Sequence, residues 1–61
     1  MKTVEDFVKM LHDKDQKIFI LRARDSEQIY FGSARGAVEL GYGNYAVSRI
    51  DFDPDAVRIY W

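Results

Sequence analysis

The chain has 61 residues, no cysteine and a formal net charge of −1 at pH 7. Its length predicts a single domain over residues 1–61, and the lack of cysteine excludes disulfides and Cys-based structural zinc sites. The balanced charge argues against bulk binding of nucleic acid, and no apolar run approaches the ~20 residues of a membrane span. With acidic residues where a signal peptide needs an apolar core, the expected location is the cytoplasm.

The first predicted element is an amphipathic helix over residues 4–12. Its apolar residues follow the i, i+3, i+4, i+7 spacing and are Val4, Phe7, Val8 and Leu11. Thr3 is a favourable N-cap, and Asp6 stands three residues later, as in a capping box.

A first hairpin is predicted from strands at residues 17–24 and 28–32, joined by a turn at 25–27. With Leu21 placed opposite Phe31, alternation sorts the side chains into two faces. One face then carries Phe19, Leu21, Ala23, Ile29 and Phe31, and the other carries Ile18, Ile20, Arg22, Arg24 and Tyr30.

Residues 33–44 contain several glycines, and residues 34–40 within them are compatible with one or two helical turns. A second hairpin follows, with strands at 45–52 and 57–61 around a turn at 53–56. Its register pairs Phe52 with Val57 and Ile50 with Ile59. The same register pairs Asp51 with Arg58 and Arg49 with Tyr60 on the opposite face.

These elements predict an α+β fold, in which one N-terminal helix packs on a four-stranded antiparallel sheet made of two hairpins. The helix is expected to cover the face with the larger apolar side chains. The predicted core residues are Phe7, Leu11, Leu21, Phe31, Ile50, Phe52 and Ile59.

No catalytic, cofactor-binding or metal-binding constellation emerges from the residues. His12 is the only histidine and has no visible partner for acid–base chemistry. Asp51, Asp53 and Asp55 alternate, but the glycine and glutamate that a calcium loop requires are missing. The expectation is therefore a protein that is not an enzyme, with no cofactor and no small-molecule substrate.

The face opposite the helix is the predicted partner-binding surface, because tyrosine and arginine are enriched at interfaces. Its predicted members are Arg22, Arg24, Tyr30, Arg49, Arg58 and Tyr60 from the strands, with Tyr42 and Tyr45 from the nearby loop. Two alternatives remain open. Residues 33–44 can fold over this face as a second small core, or the face can be an ordinary solvated one with arginine stems lying on tyrosine rings.

The chain begins its helix with Val-Glu-Asp-Phe-Val-Lys-Met-Leu, continues with a strand–turn–strand at 18–31 and ends with Val-x-x-Ile-Asp-x-Asp-x-Asp-x-Val-x-Ile at 47–59. This pattern resembles small uncharacterised helix-plus-two-hairpins proteins of Gram-positive bacteria and their phages or mobile elements. The resemblance assigns no site residue. It implies a phage or mobile-element accessory protein that inhibits a host enzyme such as a CRISPR effector.

The predicted function is that of a small non-catalytic protein-binding module, whose partner is another protein or a second copy in a homodimer. The alternative is a nucleic-acid-contacting module that uses the same face. There Tyr30 and Tyr60 would stack on bases while the four strand arginines reach phosphates.

Overall fold

A four-stranded sheet and two short helices make up residues 3–61, the part of the chain that this computed structural model describes. Residues 1 and 2 of the predicted domain lie outside the described residues. The elements are α1 (Val4–Met10), β1 (Lys17–Leu21), β2 (Gln28–Ser33), α2 (Ala34–Glu39), a 3-10 turn (Tyr42–Asn44), β3 (Arg49–Phe52) and β4 (Val57–Tyr60).

The two predicted hairpins are present, but they join through a parallel pair. The strand order is β2-β1-β4-β3, with β1 and β4 parallel in the centre. The α+β class is thus confirmed, whereas the wholly antiparallel sheet and the single helix were wrong. The connection from β2 to β3 carries α2 and the 3-10 turn, and it is long enough to bring β4 back beside β1 in the parallel sense.

The ends of α1 are set by side-chain caps. The Thr3 hydroxyl accepts from the Asp6 backbone N–H, and the Asp6 carboxylate accepts from the Thr3 N–H, so the predicted capping box is confirmed. The helix ends at Met10, two residues before the predicted end. There the Lys14 ammonium donates to the carbonyls of Val8, Lys9 and Leu11, and the Val8 carbonyl also accepts from the Leu11 backbone N–H.

In the first hairpin, the face that packs against the helices is the opposite of the predicted one. Phe19, not Leu21, pairs with Phe31, and an irregularity follows between Ile20 and Leu21. A shift of two residues leaves the two faces intact, but the helices cover Ile18 and Ile20, which are fully buried. Parallel pairing of Ile18 with Val57 and of Ile20 with Ile59 explains this choice, because it gathers four β-branched residues on one side.

The register of the second hairpin is confirmed, with Ile50 opposite Ile59 and Phe52 opposite Val57. Phe52 nevertheless is 72% exposed. It lies on an edge strand, and the Phe7 ring approaches it at 6.3 Å between centroids. Burial of Phe52, Leu21 and Phe31 in the core was therefore a wrong prediction.

The glycine-containing segment packs on the same side of the sheet as α1. Ser33 caps α2 by accepting from the Gly36 N–H, and Ala34 and Ala37 are fully buried. Gly32 and Gly36 leave room for the Tyr30 phenol, since a Cβ on either would lie 2.7 Å from its oxygen. The core residues are Val4, Phe7, Val8, Ile18, Ile20, Ala34, Ala37, Val57 and Ile59.

Candidate protein-binding face

Within residues 3–61, one side of the sheet carries no helix, because α1 and α2 both pack against the core on the other side. The side chains that alternate with the core residues project from this side. We call it the helix-free face, and its members are Phe19, Leu21, Phe31, Arg49, Asp51, Arg58 and Tyr60, with Asp53 reaching its border.

One half of the helix-free face is apolar. Phe19 and Phe31 are paired across β1 and β2, and their ring centroids lie 4.6 Å apart. Phe31 remains 51% exposed, and Leu21 follows on the same side of β1. Large apolar side chains are thus presented to solvent at the β2 side of the sheet.

The other half combines arginines with a covered tyrosine. The Arg49 guanidinium lies 4.0 Å from the centroid of the Tyr60 ring, and Tyr60 is only 8% exposed. Arg58 pairs with Asp53 at 2.9 Å, and Arg49 approaches Asp51 at 3.4 Å. Both arginines are therefore held in place while their side chains stay about half exposed or more.

Three of the eight predicted partner-binding residues lie on this face: Arg49, Arg58 and Tyr60. All three come from the second hairpin, whose register was predicted correctly. The binding role of these residues stays a prediction, but their shared face is now a structural observation.

Three others lie on the helix side, so their predicted placement on the helix-free face was wrong. Tyr30, Tyr42 and Tyr45 form an aromatic row that ends at Trp61, with neighbouring centroids 5.3, 5.5 and 4.5 Å apart. They are partly buried against the core. The reversal of the first hairpin puts Tyr30 there, and its phenol donates to the Ser33 carbonyl at 2.7 Å.

The last two, Arg22 and Arg24, belong to the turn after β1 rather than to the face. The Arg22 guanidinium pairs with Asp25 at 3.0 Å and also contacts Glu27. Its hydrogen bond to Asp25, together with the Glu27 backbone N–H, holds the pKa of that carboxyl below its usual value of 3.8, and the pKa of Arg22 is raised in turn. Arg22 thus organises the turn.

Sequence reasoning missed the apolar members, Phe19, Leu21 and Phe31. The signal that could have found them is the β-branched character of Ile18 and Ile20, which matches that of Val57 and Ile59 on the neighbouring central strand.

Across residues 3–61, no three His, Cys, Asp or Glu side chains come together as metal ligands would. Of the two helices found there, neither has the length and hydropathy to cross a membrane.

Comparison with protein-family models, with curated proteins and with solved structures found no match to this chain. The functional inference therefore rests on the geometry of the helix-free face.

Proposed function

We propose that this chain is a non-catalytic protein-binding module and that the helix-free face is its binding surface. The observation that carries the proposal is the half-exposed Phe31, packed on Phe19 beside Leu21 on the uncovered side of the sheet. A solvated sheet face is served equally well by Thr, Lys or Glu. Clustered apolar side chains on an open face are instead typical of interaction sites.

The charged half of the face suits the rim of such an interface. Arg49 is held over Tyr60, and Arg58 is held by Asp53. Side chains that are already ordered lose less conformational entropy on binding, and arginine in particular forms hydrogen bonds at low entropic cost.

The second candidate is a nucleic-acid-contacting module, favoured by the partly exposed Phe19–Phe31 pair on an open sheet. Two observations weigh against it. Asp51 and Asp53 place carboxylates next to the arginines that would contact phosphates, and Tyr30, predicted to stack on bases, lies on the helix side.

Affinity capture from a lysate of the source organism tests the proposal, with Phe31→Ser as the variant and Phe52→Ser as its control. Both residues are exposed phenylalanines on edge strands, but Phe52 lies on the helix side. Proteins that bind the helix-free face should be retained by the wild type and by Phe52→Ser and lost with Phe31→Ser. Equal loss with both variants would contradict the proposed surface.

A salt series on the same captured material separates the two candidates. Raising the salt from about 50 to about 300 mM should leave an apolar protein interface largely intact, whereas phosphate contacts weaken steeply. Nuclease-sensitive, salt-sensitive capture would favour nucleic acid. The cytoplasmic location, and inhibition of a host enzyme by a phage or mobile-element protein, stay predictions.

A further inference from the structure

We propose that the helix-free face binds a second copy of this chain, so that two sheets pack face to face about a two-fold axis. The inference rests on the proposed function and names its partner. It follows from how charge and apolar surface are distributed over the face.

On the helix-free face, the two ends of the β3 row carry opposite charges. Arg49 stands at its start, and Asp53 stands just beyond its end. A two-fold axis that runs across the strands reverses the strand direction in the second copy. Arg49 of one copy then lies over Asp53 of the other, and the reverse contact forms at the same time.

The same axis also matches the apolar halves. It runs along one row of the sheet, in which Phe31, Phe19, Arg58 and Asp51 are neighbours in register. Each strand is then placed over its own counterpart, so Phe19 and Phe31 pack against the same pair in the second copy. Arg58 and Asp51 also meet their own counterparts, and each lies one strand away from the oppositely charged residue of the other copy. An axis parallel to the strands would instead place β2 over β3 and bury charges against phenylalanine, which is unfavourable.

The area of the sheet limits the size of the contact. Four strands spaced by ~4.8 Å and about five residues long span roughly 19 by 17 Å. When the area of the projecting side chains is added, two such faces would bury roughly 1,000 Å² in total. This is near the lower limit for a specific interface. We therefore expect a reversible dimer with a Kd of roughly 10 to 100 μM.

Sedimentation equilibrium from about 5 μM to about 1 mM tests the dimer. The wild type should move from the 7.1 kDa monomer towards twice that mass. Phe31→Ser should raise the Kd by about tenfold or more, because it removes an apolar ring that packs against its own counterpart, whereas Phe52→Ser should leave the Kd within about twofold. Circular dichroism confirms that both variants are folded.

Crosslinking tests the direction of the axis. Because the chain has no cysteine, one introduced cysteine can react only with its counterpart in another copy. Arg58→Cys lies on the proposed axis and should give a covalent dimer with a short bismaleimide. Met10→Cys, on the exposed side of α1, should not.

The outcomes separate this inference from the proposed function. A wild type that is monomeric to about 1 mM overturns the homodimer, yet loss of captured proteins with Phe31→Ser would still uphold the binding face. Equal weakening of the dimer by Phe31→Ser and Phe52→Ser contradicts the helix-free face as its interface. Equal crosslinking of both cysteine variants contradicts the axis.

Discussion

Lys14 acts as a cap for α1 from outside the helix. Its ammonium lies 2.8 Å from the Val8 carbonyl and 3.1 Å from that of Lys9, and it also contacts the Leu11 carbonyl. A cation at this position hydrogen-bonds the last carbonyls of the helix and opposes the negative end of the helix dipole. The contact also fixes the loop that leads into β1.

Lys14→Met keeps the aliphatic stem but removes the donors, so it should lower the free energy of unfolding by about 1–2 kcal/mol in urea titrations. Lys9→Met is the control on the same helix. It removes an exposed pair with Glu5 at 3.5 Å and should cost about 0.5 kcal/mol or less. Equal losses in the two variants would show that Lys14 is an ordinary surface lysine.

Asp25 gives the turn after β1 a dependence on pH. Its folded-state pKa is lowered from 3.8, first by the hydrogen bond from Arg22 and then by the Glu27 N–H. The stabilisation is thus fully present above pH 3.8 and is lost as the pH falls through the lower, folded-state pKa, because the unfolded chain binds the proton more readily.

In urea titrations below about pH 4, Asp25→Asn should remove part of the decrease in unfolding free energy that the wild type shows. Arg22→Gln removes the main cause of the shift and should flatten the same part of the profile. A wild-type slope in both variants would mean that this pair contributes nothing measurable, as many exposed pairs do.

The elements show which parts of the fold the sequence could predict. In the second hairpin, apolar Ile50, Val57 and Ile59 alternate with polar residues, so its register and its faces follow from the pattern. Arg49, Arg58 and Tyr60 could therefore be assigned to one surface before the structure was known.

The first hairpin lacks this alternation of apolar and polar residues. Phe19 and Leu21 alternate with Ile18 and Ile20, so both faces of β1 are apolar, and hydrophobicity does not decide which face is inside. The decision is made by the parallel neighbour β4, and long-range pairing of this kind leaves no local signal. This is why Phe19, Leu21 and Phe31 were predicted on the face that the helix covers and Tyr30 on the opposite face.

The loop before β1 also decides how α2 is placed. The N–H groups of Ala34 and Arg35, at the start of α2, donate to the carbonyls of Gln16 and Lys14 at 2.9 and 2.8 Å. The loop therefore supplies backbone acceptors to one helix while the Lys14 side chain caps the other. Both helices are fixed to the same side of the sheet, and the opposite side stays open.

At the scale of the whole molecule, the fold is a two-layer structure in which stability and binding belong to different sides of one sheet. Ile59 is fully buried on the helix side, and Phe31 is half exposed on the other. A substitution in the core removes packing that holds both helices, whereas one on the helix-free face removes only contacts with neighbouring strands. The two sides should therefore respond differently to truncation.

Ile59→Ala should lower the free energy of unfolding by about 2–5 kcal/mol, a large share of the stability of so small a domain. Ile59→Val should lower it by about 1 kcal/mol and keeps the comparison measurable if the alanine variant does not fold. Phe31→Ala should cost about 1 kcal/mol or less, since half of its side chain is already in water. These values are to be measured by urea unfolding at a few micromolar, where a homodimer contributes little. If Phe31→Ala were as damaging as Ile59→Ala, the helix-free face would be part of the core, and the binding proposal would lose its basis.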